Sequence, residues 1–209
     1  MVGRTTAQYM QAGVAALHLE DQIQTKRCGY LRNKELVDED VYISRIRAAV
    51  NMRAQTPGDI VIIARTDALQ SLGYEGAVSR LKKAIAVGAD VAFLQGVTSE
   101  EEARSLCQEL APTPVLLNMA ASGETPNMSV REAKEMGFKI IIYPGFAVGP
   151  VYKAVAKVAT ELKETGDIKE GTSMGEPGVG PRELFGVCGL QEAIEFDIAA
   201  GGSLYSKGV

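Results

Sequence analysis

The segment Leu17-His18-Leu19-Glu20-Asp21-Gln22 runs from apolar residues into two carboxylates, and Lys26-Arg27-Cys28-Gly29 follows within a few residues. These types at this spacing gather acid, cationic and thiol groups at the end of one strand. A carboxylate there transfers protons or holds a hard metal ion, and the cations meet an anionic ligand. Lys26 and Arg27 favour the thiolate of Cys28, and Gly29 leaves room for close approach, as an acid/base thiol needs. An inert loop cysteine is the alternative. Glu20 reads either as a working acid or as a solvated strand-end carboxylate.

Arg65 ends the run Ile60-Val61-Ile62-Ile63-Ala64 in phase with Val61 and Ile63, so its guanidinium comes to the same end of a sheet. There it suits bidentate grip of a carboxylate; the alternative is a surface pair with Asp67, worth about 0–1 kcal/mol. Asn118 closes Pro114-Val115-Leu116-Leu117 and either orients a substrate oxygen or caps a turn. His18 shares the strand face of Glu20 one layer below, where a packed interior histidine is expected rather than a catalyst. Cys107 and Cys188 read as packing residues inside helices.

Parallel β/α units must position these groups. The pattern predicts a helix over 5–12, a strand over 14–20, a helix from 38 or 39 to about 53 with an apolar stripe of Val41, Ile43, Ile46 and Val50, and a strand over 60–64. It then predicts a helix over 75–87, strands at 91–94, 114–117 and 139–143, and a long helix over about 148–164. Ser99 with Glu102, and Ser129 with Glu132, have capping-box spacing. Polar residues gather at the carboxyl ends of these strands, where parallel α/β enzymes build their sites. No glycine-rich phosphate turn follows any strand, which argues against a doubly wound sheet. A closed (β/α)8 barrel takes eight strands and about 250 residues. The expectation is therefore a TIM barrel that is incomplete, holding about the last five βα units, with its first strands missing. Residues 1–165 are the partial barrel and catalytic domain, 166–180 a Gly/Pro-rich linker, and 181–209 a tail with one helix from Pro181 to Ala200.

The 209 residues are 46% hydrophobic and 23% charged, an ordinary globular composition. A net charge of −4 offers no basic stripe for nucleic acid, and no apolar run approaches the ~20 residues that span a bilayer. Three widely spaced cysteines suit free thiols in a reducing compartment, and the single histidine argues against a His-rich metal centre. An intracellular protein, cytoplasmic or mitochondrial, is expected, without nucleic-acid or membrane partners.

Together, the stretch from Val14 to Gln22, Lys26-Arg27-Cys28-Gly29, Ala64-Arg65-Thr66-Asp67, Leu117-Asn118-Met119 and Tyr143-Pro144 resemble the isocitrate lyase and phosphoenolpyruvate mutase superfamily, over nearly the whole chain. The resemblance implies an eight-stranded barrel in which Mg²⁺, or Mn²⁺, holds a small 2-hydroxy or 2-oxo dicarboxylate and stabilises an enolate. It implies Glu20 as a metal ligand, largely through water, Cys28 and Lys26 as catalytic residues, and Arg65, Asn118, Gly29 and Tyr30 as substrate-binding residues. The loop from Lys26 to Tyr30 would close over the substrate. Cys28 points to the carbon–carbon lyases and acylhydrolases, such as methylisocitrate lyase, dimethylmalate lyase or oxaloacetate acetylhydrolase, and away from P–C phosphomutases. A homotetramer exchanging C-terminal helices is implied as well.

Three departures stand beside this. The family's metal-binding Asp-x-Asp strand has no counterpart here, so the chain reads as N-terminally truncated. Tyr30 stands where the lyases carry histidine, and Ala120-Ala121 stand where methylisocitrate lyases carry polar substrate contacts. A rival reading is a catalytically inactive subunit or interaction protein; a third is P–C bond chemistry.

Overall fold

A computed structural model describes residues 1–120, 123–167 and 180–205. Most of the 166–180 segment, Ala121 and the last four residues lie outside these. The chain divides into two compact units, Met1–Phe146 and Ala147–Val209.

In the first unit α1 (Val2–Gln11) leads to β1 (Ala16–Glu20), then α2 (Glu39–Gln55), β2 (Val61–Thr66), α3 (Leu69–Ala86), β3 (Val91–Leu94), α4 (Glu100–Glu109), β4 (Val115–Asn118), α5 (Val130–Met136) and β5 (Ile140–Ile142). The five strands pair in the order β1-β2-β3-β4-β5, every neighbour parallel. Sequential order with helical crossovers winds a sheet in one sense only, so this is an arc of an incomplete TIM-barrel-like fold, not a doubly wound sheet.

Strand alternation splits each strand between two layers. Ile62, Ala64, Ala92, Leu94, Val115 and Leu117 face the helices and join one core with Tyr42, Ile46, Leu81 and Leu106. Ile63, Val91, Phe93 and Leu116 form a smaller cluster on the opposite, concave face, flanked by Val61, Ile140 and Ile142. The register Ala16↔Val61, His18↔Ile63, Glu20↔Arg65 puts the sequence-predicted groups on that concave face at its carboxyl end.

Several local expectations change. The apolar stripe of α2 is Tyr42, Ile43, Ile46 and Ala49, whereas Val41 is exposed; burial follows the 3.6-residue period even where it selects an aromatic and an alanine over a valine. Helix α3 begins earlier than 75 and is broken at Gly73, whose φ of 69° leaves the helical region. Ser129 and Glu132 form a reciprocal capping box. Ser99 accepts from the Glu102 amide, but the Glu102 carboxylate turns to the amide and hydroxyl of Thr98 instead.

The second unit holds α6 (Val148–Thr165), α7 (Pro181–Val187) and α8 (Leu190–Ala199). The single helix expected over Pro181–Ala200 is thus two, separated where Gly189 takes φ 82°. Cys188 caps α7 and is exposed, not packed within a helix. Cys107 is buried as expected, and burial pushes its thiol up to about 11. No helix of the described residues is long and apolar enough to cross a membrane.

Candidate active site

The site is built on Arg65, the inward-facing residue near the end of β2. Its Nε and Nη2 donate to Asp67 Oδ2 and Oδ1 at 2.9 and 3.0 Å, and Nε lies 3.3 Å from Glu20 Oε2. The guanidinium carbon stands 5.1 Å from the centroid of Phe93, and the ring of His18 meets Phe93 edge-on at 5.6 Å. This fixes the cation before any ligand arrives. Burial works against its charge, but the hydrogen bonds and charge of Asp67, then Glu20, hold the Arg65 pKa above its ordinary value. Asp67 is 1% exposed, so the pair is buried rather than superficial. His18 is packed as expected; burial, and then Arg65, lower its pKa.

Glu20 also pairs with Lys26, so two cations share its carboxylate. Asn118 caps no turn: its Nδ2 donates to Gln95 Oε1 at 3.1 Å. Among the described residues, Gln95 Nε2 and Asn118 Oδ1 are buried without partners. One free amide N–H donor group and one free carbonyl therefore sit together at the strand mouth, the kind of unused hydrogen-bonding capacity that a ligand oxygen satisfies.

The loop after β1 lies across this mouth. Its base is stapled by the Gln22↔Leu36 bridge, by Ile23 N donating to Glu35 O and by Val37 N donating to Asp21 O. Gln22 further holds both the amide and the carbonyl of Arg27. At Gly29 the backbone comes so close that a Cβ would stand 2.6 Å from Arg65 Nη2 and 2.9 Å from Gln95 Cδ. Only glycine seats the loop there. Tyr30 packs on Gly123, where a Cβ would fall 2.7 Å from the ring; burial raises the Tyr30 pKa, and its hydroxyl lies beside Gln95 and the Ala120 backbone without completing a hydrogen bond. Cys28 is exposed on the same loop. Lys34 fastens the loop through Gly29 O at 2.7 Å, Leu31 O at 3.2 Å and Gln70 Oε1 at 2.8 Å.

The structure thus brings Glu20, Lys26, Gly29, Tyr30, Arg65 and Asn118 to one strand mouth, with Cys28 on the loop that crosses it. The sequence reading missed Gln95 and a buried group around Asp21, and it offered the Arg65–Asp67 pair only as a surface contact, whereas the pair is buried and anchors the guanidinium. Gln95 follows Phe93 by two positions, the same phase that singled out Arg65, and that signal was available. Asp21 is 0% exposed; burial raises its pKa against the opposing pull of the Asp67 amide, the Thr66 hydroxyl and Arg80. The hydroxyl of Tyr42 is buried without a partner among the described residues, and burial followed by the charge of Asp21 raises its pKa well above the usual value.

The described residues do not by themselves make a metal site. No three His, Cys, Asp or Glu among them are placed to hold an ion, and the carboxylates at the mouth are already engaged, Glu20 by Lys26 and Arg65 and Asp67 by Arg65. A hard divalent ion takes about six oxygens, of which Glu20 offers at most a share.

The family described as phosphoenolpyruvate phosphomutase matches residues 1–163. A 2-methylisocitrate lyase of Aeropyrum pernix is 37% identical over 169 residues, 81% of this chain and 53% of that protein. The crystal structure of a 2,3-dimethylmalate lyase, described as a PEP mutase/isocitrate lyase superfamily member, superimposes with TM-score 0.95 at 52% identity, over 100% of this chain and 68% of the other. An oxaloacetate acetylhydrolase in complex with 3,3-difluorooxalacetate gives TM-score 0.91 at 47% identity, over 98% and 67%. A phosphoenolpyruvate phosphomutase of Streptomyces platensis shares the fold at TM-score 0.80 but only 23% identity. The chain spans about half the length of the curated relatives it matches.

Proposed function

The chain belongs to the PEP mutase/isocitrate lyase superfamily, and from that premise we propose that it serves a carbon–carbon lyase or hydrolase acting on a small 2-hydroxy or 2-oxo dicarboxylate. The observation that carries this is the pre-set guanidinium of Arg65 beside unpartnered amide groups, under a loop bearing a thiol. The similarity to C–C lyases and to an acetylhydrolase supports it, and the P–C phosphomutase alternative has only the distant likeness behind it.

In this reading Arg65 binds a substrate carboxylate through the donors that Asp67 leaves free, and the Gln95–Asn118 pair orients a neighbouring oxygen. For a 2-hydroxy acid, the C2 hydroxyl passes its proton to a water at the mouth, its oxygen closes the new C2=O bond, and the C2–C3 bond breaks. Its electron pair enters the enolate of the departing half, and the Cys28 thiol gives a proton to that carbon before being reprotonated from water. Lys26 screens Glu20, and Gly29 and Tyr30 narrow the mouth against bulk water. A divalent cation, Mg²⁺ or Mn²⁺, is implied by the family resemblance and would supply charge stabilisation to the enolate; of the described residues, Glu20 would face it through water. The carboxylate substrate is the partner proposed, together with further copies of this chain joined through α7 and α8.

The test is turnover of 2,3-dimethylmalate and oxaloacetate with Mg²⁺ present. Cys28→Ser should lower kcat by about 10²–10⁴-fold while the unfolding midpoint stays in place; full activity in that variant removes the acid/base role. The inactive-subunit reading predicts no turnover by the unaltered chain and no substrate-linked Mg²⁺ binding by calorimetry.

A further inference from the structure

We propose that Asp21 is a positioning residue for Arg65, acting through Thr66 and Asp67. The inference rests on reading Arg65 as the carboxylate-binding group, but its geometry stands independently. Asp21 follows Glu20, yet its carboxylate is fully buried while that of Glu20 reaches the mouth. Three donors from two other elements converge on it. The Thr66 hydroxyl donates to Oδ2 at 2.5 Å, the Asp67 amide to Oδ1 at 2.9 Å, and Arg80 Nη1 to Oδ2 at 3.3 Å.

Each of these bonds constrains the end of β2. The Thr66 hydroxyl also accepts from the Ala68 amide at 3.2 Å, so its one proton is committed to Asp21. The bond to the Asp67 amide fixes the backbone where the strand ends, which sets the direction of the Asp67 side chain. That side chain holds Arg65 by two parallel bonds. Arg80 balances the buried carboxylate and also donates to Val37 O at 3.2 Å, tying α3 to the far end of the loop that covers the site. The result is two ion pairs, Arg80–Asp21 and Asp67–Arg65, joined through the backbone at 66–67. A buried bidentate pair is useful for recognition only if its direction is held, and Asp21 supplies that constraint from the neighbouring strand.

Exchange of the Arg65 Nε proton with water, followed by NMR of the arginine-labelled chain and assigned with Arg65→Lys, reads this directly. Thr66→Val keeps the shape of the side chain but removes the hydroxyl, and Thr66→Ser restores it. We expect exchange about tenfold faster in Thr66→Val and in Asp21→Asn, and a rate near that of the unaltered chain in Thr66→Ser. Asp21→Asn leaves Arg80 without its charge partner and can fail to fold, so the Thr66 pair decides. An Arg65 rate within about twofold of the unaltered chain in folded Thr66→Val would overturn the proposal. So would acceleration spread evenly over the backbone amides of β1 and β2, the mark of a general structural role. Because no turnover is measured, a chain without lyase activity would remove the functional reading and leave this result standing.

Discussion

At the scale of single residues, the decisive contact is the one Gly29 makes by having no side chain. Gly29→Ala would set a methyl 2.6 Å from Arg65 Nη2, so either the loop lifts or the guanidinium turns from Asp67. We expect kcat/KM for the best dicarboxylate substrate to fall by about tenfold or more, with the unfolding midpoint little changed; steady-state kinetics check this, and unchanged kcat/KM would show that the loop does not seat on Arg65 in the working protein. How legible these residues were depends on their signals. Glu20, Arg65 and Asn118 announced themselves because a polar residue in strand phase after an apolar run is visible locally. Gln95 obeys the same phase, but a neutral amide beside a glycine reads as a strand stop. Asp21 finds Thr66, Asp67 and Arg80 at separations of 45, 46 and 59 residues, and no local pattern encodes such partners.

At the scale of elements, α5 is a seven-residue helix whose start depends on its cap. Glu132 Oε2 accepts from the Ser129 amide at 2.7 Å and from its hydroxyl at 2.6 Å, while that hydroxyl accepts from the Glu132 amide at 3.2 Å. Ser129→Ala should cost about 1 kcal/mol at neutral pH, read as a lower urea midpoint. The Ser129 hydroxyl, and then its amide, hold the Glu132 carboxyl below its ordinary 4.5. A depressed carboxylate stabilises fully above the unfolded-state value and loses this as pH falls through the lowered folded value. The gap between the two proteins should therefore be widest near pH 7 and narrow below 4.5, and a gap independent of pH would refute the carboxylate's part. Elements were easier to foresee than their breaks. The strands and their parallel order followed from alternating apolar runs and caps, whereas the interruptions at Gly73 and Gly189 turn on φ values of 69° and 82° that composition alone does not specify.

At the scale of the whole molecule, the second unit presents apolar side chains to solvent: Leu184, Phe185, Phe196 and Ile198 are 54–77% exposed. Patches of that kind suit association between copies. If α7 and α8 join subunits as proposed, Phe196→Glu should shift the sedimenting species toward the monomer, and an unaltered chain that is monomeric at working concentration would end that proposal. The loop between β1 and α2 has another consequence. Gln22 binds Arg27, Lys34 binds the carbonyls of Gly29 and Leu31, and both ends are pinned at Gln22 and Leu36. If this loop opens and closes over a substrate, such bracing would move it as one flap instead of letting it fray residue by residue. The amine of Lys26, the thiol of Cys28 and the ring of Tyr30 would then arrive and depart together, so that, on the proposed function, covering the substrate and presenting the proton would be a single kinetic event.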